Sequence, residues 1–271
     1  MMGSLSRLKV VLALQILGVM AFAYPQDGQE QREKEQASIW YLGHSGFGIK
    51  TQGHFLIFDY APQTRWKSKL SKGGIDPKEI KQYKVLVFVS HAHRDHFDPR
   101  IFRWASSMDT VTYILSRGCR AKKIKDAKIV RIGPNRSKRV GDAEIITIKS
   151  TDEGVGFLVK VDGLSVFHAG DHALWDEALS RAYKRQIDRL AKRHGAVDIA
   201  FIPVGRSKSV RKGAYYAIKR LSPRAIFPMH CRGNEREYRS FAKAAKKKGI
   251  KGEIFCAKKR GDKFVYKGKV E

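Results

Sequence analysis

Val85-Leu86-Val87-Phe88-Val89-Ser90-His91-Ala92-His93-Arg94-Asp95-His96 is the stretch on which the fold turns. Its five leading apolar residues, β-branched or aromatic except for Leu86, read as a buried strand. Three imidazoles and one carboxylate follow within six residues, where that strand leaves the core. In extended backbone His91 and His93 point the same way, because side chains alternate with a period of two. The chain then turns, and Asp98-Pro99 predicts a helix cap with proline in the first helical position. Asp95 and His96 fall on the turn itself, free to aim at a second point close to the first. Neutral imidazole and carboxylate suit zinc, iron or manganese, and this density of donors suits two ions better than one.

Outward from this stretch the chain alternates short strands with turns. Strands are expected at 38–41, 46–50 and 55–59 before it, and at 111–115, 129–132, 144–148, 155–161 and 164–167 after it. Asp162-Gly163 is a two-residue hairpin signal between alternating apolar runs. Helical periodicity spans 174–193, followed by a buried strand at 197–203 and a helix over 212–221 that Ser222-Pro223 ends. A strand at 225–228, a basic helix over 235–248 and a strand at 253–256 complete the pattern. Strands first, then alternating helix and strand, imply two packed sheets flanked by helices.

The ends of the chain differ in character from its middle. Arg7 and Lys9 precede an almost wholly apolar run at 10–20, and Ala21-Phe22-Ala23 fits a small-x-small cleavage site. Residues 1–23 therefore read as a signal peptide and 24–37, rich in Gln and Glu, as a linker to one domain over 38–271. The apolar run falls short of the roughly 20 residues a membrane span needs. Export to the periplasm or the medium is the expectation, with anchoring through an uncleaved segment as the alternative. Three cysteines, Cys119, Cys231 and Cys256, lack regular spacing, which argues against a disulfide framework. The formal net charge is +28. From Arg206 onward there are 21 basic and 5 acidic residues, so this last quarter alone carries +16. Such a surface attracts polyanions, whether nucleic acid, anionic lipid headgroups or acidic cell-wall polymers, unless its lysines merely solvate helix faces.

Two further strand ends carry metal-ligand residue types. His168-Ala169-Gly170-Asp171 closes the hairpin with a carboxylate, which can bridge two cations and offset their repulsion. Phe227-Pro228-Met229-His230 ends a later strand with an imidazole. Together, HxHxDH, then GD after a hairpin, then PMH after a strand resemble the metallo-β-lactamase-fold hydrolase superfamily. The resemblance runs from Trp40-Tyr41-Leu42-Gly43-His44-Ser45-Gly46-Phe47 to Cys231. That opening, with Phe58-Asp59, is similar to the branch containing ascorbate-phosphate lactonase-like and N-acyl-phosphatidylethanolamine phospholipase D-like proteins.

The resemblance implies an α/β fold, an αββα sandwich of two mixed β-sheets packed face to face with helices outside. It also implies two divalent metal ions, zinc first, with manganese or iron open. His91 and His93 match ligands of the first ion, Asp95, His96 and His230 those of the second, and Asp171 the bridging carboxylate. One histidine usual in the family is missing, because 148–154 reads Ile-Lys-Ser-Thr-Asp-Glu-Gly. Asp152 either replaces it as an oxygen donor, favouring manganese or iron, or is a turn residue, leaving the first ion weakly held or absent. His44 is expected near the site rather than as a ligand, and His168 or His172 as a supporting partner of a ligand or a proton donor.

Such a centre activates water for hydrolysis of an ester, lactone or phosphodiester, with Asp95 orienting the hydroxide and accepting its proton. The expectation is an exported metal-dependent hydrolase acting on a small-molecule or phosphate-bearing substrate. The alternative is a non-catalytic, metal-containing polyanion-binding protein whose basic C-terminal surface contacts anionic lipid or nucleic acid. A redox di-iron member of the superfamily is a third reading, but no flavin-binding segment accompanies it. Oligomeric state is not legible in the sequence.

Overall fold

The computed structural model describes residues 36–62, 68–121, 127–231 and 233–268. The expected signal peptide at 1–23 and all but two residues of the linker lie outside these. Gln36 and Ala37 belong to the first strand, β1 (Gln36–Gly43), paired with Lys267 and Tyr266. These two residues, read as linker from the sequence, are thus strand residues.

One sheet runs β14 (Lys263–Lys267), β1, β2 (Gly46–Lys50), β3 (His54–Phe58), β4 (Lys84–Val89), β5 (Val111–Ser116) and β6 (Lys128–Ile132). The other runs β13 (Glu253–Ile254), β12 (Ala225–Met229), β11 (Ile199–Pro203), β10 (Leu164–His168), β9 (Val155–Val161), β8 (Ala143–Lys149) and β7 (Ser137–Val140). Each sheet is mixed in the same way. The pairs from β14 to β3, and from β7 to β10, are antiparallel; those from β3 to β6, and from β10 to β13, are parallel.

Strand alternation decides what each face buries. Leu56, Phe58, Leu86 and Phe88 turn inward to meet Phe157, Val159, Phe167 and Phe201 of the facing sheet. Phe55, Ile57, Val85, Val87 and Val89 turn outward into a second cluster with Ile80, Ile101, Phe102 and Trp104. Both faces of β4 are therefore covered, which is why its sequence is apolar throughout instead of alternating. The outer layer over this sheet is thin: α1 (Pro77–Ile80) and a 3₁₀ helix at Pro99–Ser106. Over the other sheet lie α2 (Ser180–His194), α3 (Lys208–Leu221) and α4 (Arg236–Lys247). The result is the four-layered αββα sandwich.

Asp98 does cap, its carboxylate accepting from Arg100 N, but the segment it starts is 3₁₀. The pairs Ile101/Trp104 and Phe102/Ala105 are buried at a spacing of three, the repeat of a 3₁₀ ridge. The sequence pattern omits β7, whose Ser-Lys-Arg is exposed at a sheet edge, and β14. It also starts α3 four residues late and draws β13 two residues too long. The Asp162-Gly163 turn joins β9 to β10 with both φ angles positive, +50° and +75°, as a type I′ turn requires.

Because β1, β3 and β4 run in one direction, their C-terminal ends share an edge of their sheet. The same holds for β8, β10, β11 and β12 in the other. The residues His44, Asp59, His91, Asp171 and His230 all follow such ends.

Candidate metal centre

The first elements of the site are the turns after β4 and β10. After Val89 the chain presents His91, His93 and, through a turn closed by His96 N and Phe97 N donating to His93 O, the buried His96. After β10, Asp171 lies buried against this turn. His230 follows β12, and His44 stands in the β1–β2 connection.

These residues converge into two groups. His91, His93 and Asp171 form one, His44, His96 and His230 the other, each with its ligand atoms within 4.8 Å of one another. Asp171 stands between them. Its Oδ1 is 3.1 Å from His96 Nε2 and 3.1 Å from His230 Nε2, while Oδ2 is 3.4 Å from His91 Nε2. On the other side His91 Nε2 and His93 Nδ1 approach to 2.9 Å.

Whether these donors fit a cation can be tested on the buried polar atoms. His96 Nε2 and Asp171 Oδ1 are both buried and close, yet neither has a partner in hydrogen-bonding geometry among the described residues. Buried polar atoms without partners are rare and costly. Imidazole nitrogens and a carboxylate converging without a hydrogen bond in good geometry between them are the donor set that a divalent cation with nitrogen and oxygen ligands takes. The residues fit such an ion.

One carboxylate sets the orientation of a histidine in each group. Asp59, almost wholly buried after β3, accepts from Ser90 N at 2.8 Å, Ser90 Oγ at 2.7 Å and His96 Nδ1 at 2.8 Å. Ser90 Oγ gives its proton to Asp59, so it accepts from His91 Nδ1 at 2.9 Å. With Nδ1 of each ring committed to Ser90 or Asp59, Nε2 is the atom each ring presents toward Asp171, and the one a cation would take in place of a proton. Burial opposes ionisation of Asp59, but His96 and its neighbours hold its carboxyl down at about 2. Burial likewise disfavours a charge on His96, yet Asp171 and Asp59 raise it to about 10. His230 and His96 hold Asp171 far below the usual carboxylate range despite its burial. Two buried carboxylates, Asp59 and Asp171, are thus held ionised among these histidines, the negative charge that a cation centre needs.

His44, His230 and Asp59 share a further feature. Their φ values are +53°, +68° and +42°, in the left-handed region that non-glycine residues seldom adopt. Such strain persists only where neighbours hold it, and it clusters at functional sites. Here Tyr41 Oη accepts from His44 N at 2.9 Å, and Tyr238 Oη donates to His44 O. His230 N donates to the same carbonyl at 3.3 Å. The His44 and His230 rings lie 4.3 Å apart, and burial, then the neighbouring His230 and His96, pushes His44 down to about 3.

The remaining residues of interest take other places. Asp95 belongs to neither group; its Oδ2 lies 3.3 Å from His44 Nε2, on the wall of a cavity of about 220 Å³. Asp152 is exposed and also outside both groups, its backbone N–H donating to Ser150 Oγ in the turn before Gly154. Its neighbour Glu153 comes nearer, 3.6 Å from His93 Nε2. His168 is fully buried and structural: Nδ1 accepts from Gly170 N, so Nε2–H donates to Ser45 O. His172 packs on Tyr183, and burial pushes it down to about 3. Neither lines that cavity or belongs to either donor group.

A family model described as a beta-lactamase superfamily domain matches residues 38–230. A UPF0173 metal-dependent hydrolase of Thermococcus kodakarensis is 26% identical over 210 residues, covering 71% of this chain and 83% of its own. Among solved structures, Igni18, a metallo hydrolase of Ignicoccus hospitalis, superposes with a TM-score of 0.61 at 19% identity. It covers 86% of this chain and 100% of its own. CmlA, a diiron β-hydroxylase of Streptomyces venezuelae, gives 0.53 at 14% identity over 86% of this chain and 54% of its own. These two similarities establish the shared fold alone.

Proposed function

The chain belongs to the beta-lactamase superfamily, and from that premise we propose that it is a metal-dependent hydrolase of esters, lactones or phosphodiesters, working with two divalent ions. The observation that carries this reading is Asp171, a buried carboxylate with one oxygen toward each group of histidines. His91 and His93 would hold one ion and His44, His96 and His230 the other, with Asp171 shared between them. When bound, the ions supply a water whose pKa falls from about 15.7 to about 7 and polarise the substrate oxygen.

The protein's own groups do the rest. Asp59 and Ser90 keep two histidines oriented, so the ligand set is rigid before substrate arrives. Asp95, beside His44 at the cavity wall, orients the attacking water and takes its proton. The donor set of nitrogens and one bridging carboxylate suits zinc, with iron or manganese as alternatives. Residues 1–23 support action outside the cytoplasm, and the +28 charge supports a phosphate-bearing substrate or an anionic surface nearby.

Asp171→Ala tests the reading. It is expected to lose bound metal and turnover together on a panel of nitrophenyl esters, lactones and phosphodiesters. Full metal loading with full turnover in this variant contradicts the bridging role.

A further inference from the structure

Beside the metal centre, the turn between β13 and β14 delivers a cation to the same cavity. Gly261 N donates to Tyr41 O at 2.8 Å, and Tyr41 N donates to Asp262 O at 3.0 Å, tying the turn to β1. Asp262 Oδ2 accepts from Lys258 N and Lys259 N, closing the turn on itself. Arg260, at its tip, is thereby pressed into a crevice between the β1–β2 connection and the loop that precedes α1.

Two glycines make room for it. A Cβ on Gly43 would lie 2.9 Å from Arg260 Nε and 3.1 Å from its Cζ. A Cβ on Gly73 would lie 2.5 Å from Arg260 Cβ, and Gly73 O accepts from Arg260 Nη2 at 3.5 Å. The guanidinium therefore passes directly under the residue before His44. It lines the 220 Å³ cavity together with His44, Asp95 and Glu235, and is the one Lys or Arg among the described residues that do so. Glu235 on the same wall accepts from Tyr41 Oη at 3.1 Å.

We propose that Arg260 is a specificity-determining residue that fixes an oxyanion of the substrate, phosphate or carboxylate, at the mouth of the metal centre. A planar fork of donors matches the oxygens of either group, and the anchored turn limits the freedom lost on binding. The inference rests on the hydrolase reading and narrows it: the preferred substrate carries negative charge next to the bond that breaks.

The test compares metal-loaded wild type, Arg260→Gln and Arg260→Lys on three substrates. These are bis(nitrophenyl) phosphate, the carboxylate-bearing mono(nitrophenyl) succinate and neutral nitrophenyl acetate. For Arg260→Gln the ratio of kcat/KM for an anionic over the neutral substrate should fall by about 10- to 100-fold, mostly through KM. Arg260→Lys should recover part of it, and the anionic substrate with the larger drop identifies the oxyanion. Calorimetry with inorganic phosphate gives a readout that needs no turnover, with weaker binding expected in Arg260→Gln. If no substrate is turned over, the hydrolase reading fails, while weakened phosphate binding still supports the anion site. Unchanged phosphate affinity and an unchanged substrate ratio, with only a lower Tm, would show a structural brace and overturn the proposal.

Discussion

Replacing Asp59 by Asn keeps the volume of a buried side chain and changes one atom, which makes its consequences calculable. Asp59 accepts three hydrogen bonds, from Ser90 N, Ser90 Oγ and His96 Nδ1. The amide can keep its oxygen toward Ser90 N, but its NH2 then faces both Ser90 Oγ and His96 Nδ1. His96 must offer a lone pair there, which moves its proton to Nε2, the atom 3.1 Å from Asp171 Oδ1. A protonated Nε2 cannot ligate. Ser90 Oγ also loses its acceptor, and with it the fixed orientation of His91. Losing such a supporting partner typically costs 10- to 100-fold in metal affinity, about 1.4–2.7 kcal/mol. Without metal the same change removes a charge-assisted bond to His96, worth about 1.5–3 kcal/mol. For a domain of this size that lowers the Tm by roughly 3–12 °C. Competition against a chromophoric chelator measures the affinity, and melts with and without metal measure the stability. Ser90→Ala should give a smaller loss, since it frees His91 Nδ1 but leaves the Asp59 bond to His96 in place. Affinity in Asp59→Asn within twofold of wild type would refute the shared-carboxylate argument.

Two further predictions concern residues away from the ions. His54, buried below the opposite edge, bonds Asp162 through Nδ1 at 3.1 Å and Asp142 through Nε2 at 3.0 Å, with Lys84 on the far side of Asp142. Burial lowers the His54 pKa, but the two carboxylates raise it on balance; in turn His54 holds Asp162 down against its burial, while Asp142 is held down first by Lys84 and less by His54. The histidine's contribution is present below its unfolded pKa of about 6.5 and is lost as pH rises through the folded value; the carboxylates' contribution is present above about pH 4 and is lost on acidification. His54→Gln should thus cost about 1–2 kcal/mol near pH 6 and less near pH 9, read as the Tm difference from wild type; an equal difference at both values would contradict the cluster's charge. Asp152→Ala should change metal stoichiometry and turnover less than twofold, since the side chain is exposed and in neither donor group. Loss of one ion per chain in that variant would show that the turn rearranges to ligate.

The difference between Asp152 and His44 shows what the sequence could and could not convey. Strand runs such as 155–161, and the motifs that end them, are written in residue type and spacing, so sheets, hairpin and the His91 turn are legible locally. Backbone sign is not. His44 reaches the centre because the β1–β2 connection puts it at φ +53° and Tyr41 and Tyr238 hold its peptide groups. Nothing in Gly43-His44-Ser45-Gly46 separates that from an ordinary turn. Asp59 had one local signal, a carboxylate directly after four apolar residues of β3, but its partners lie 31 and 37 positions away. Asp152 has the right donor type and the right neighbourhood in sequence, and the turn before Gly154 points it to solvent. The short polar β7 is illegible for a related reason: it depends on its neighbour across the sheet more than on its own periodicity.

Anomalous diffraction from protein loaded with zinc or manganese is the most direct test of the central claim. Two peaks should appear on either side of Asp171, one among His91 and His93 and the other among His44, His96 and His230. A single peak, or metal bound away from Asp171, would contradict a centre built on that carboxylate.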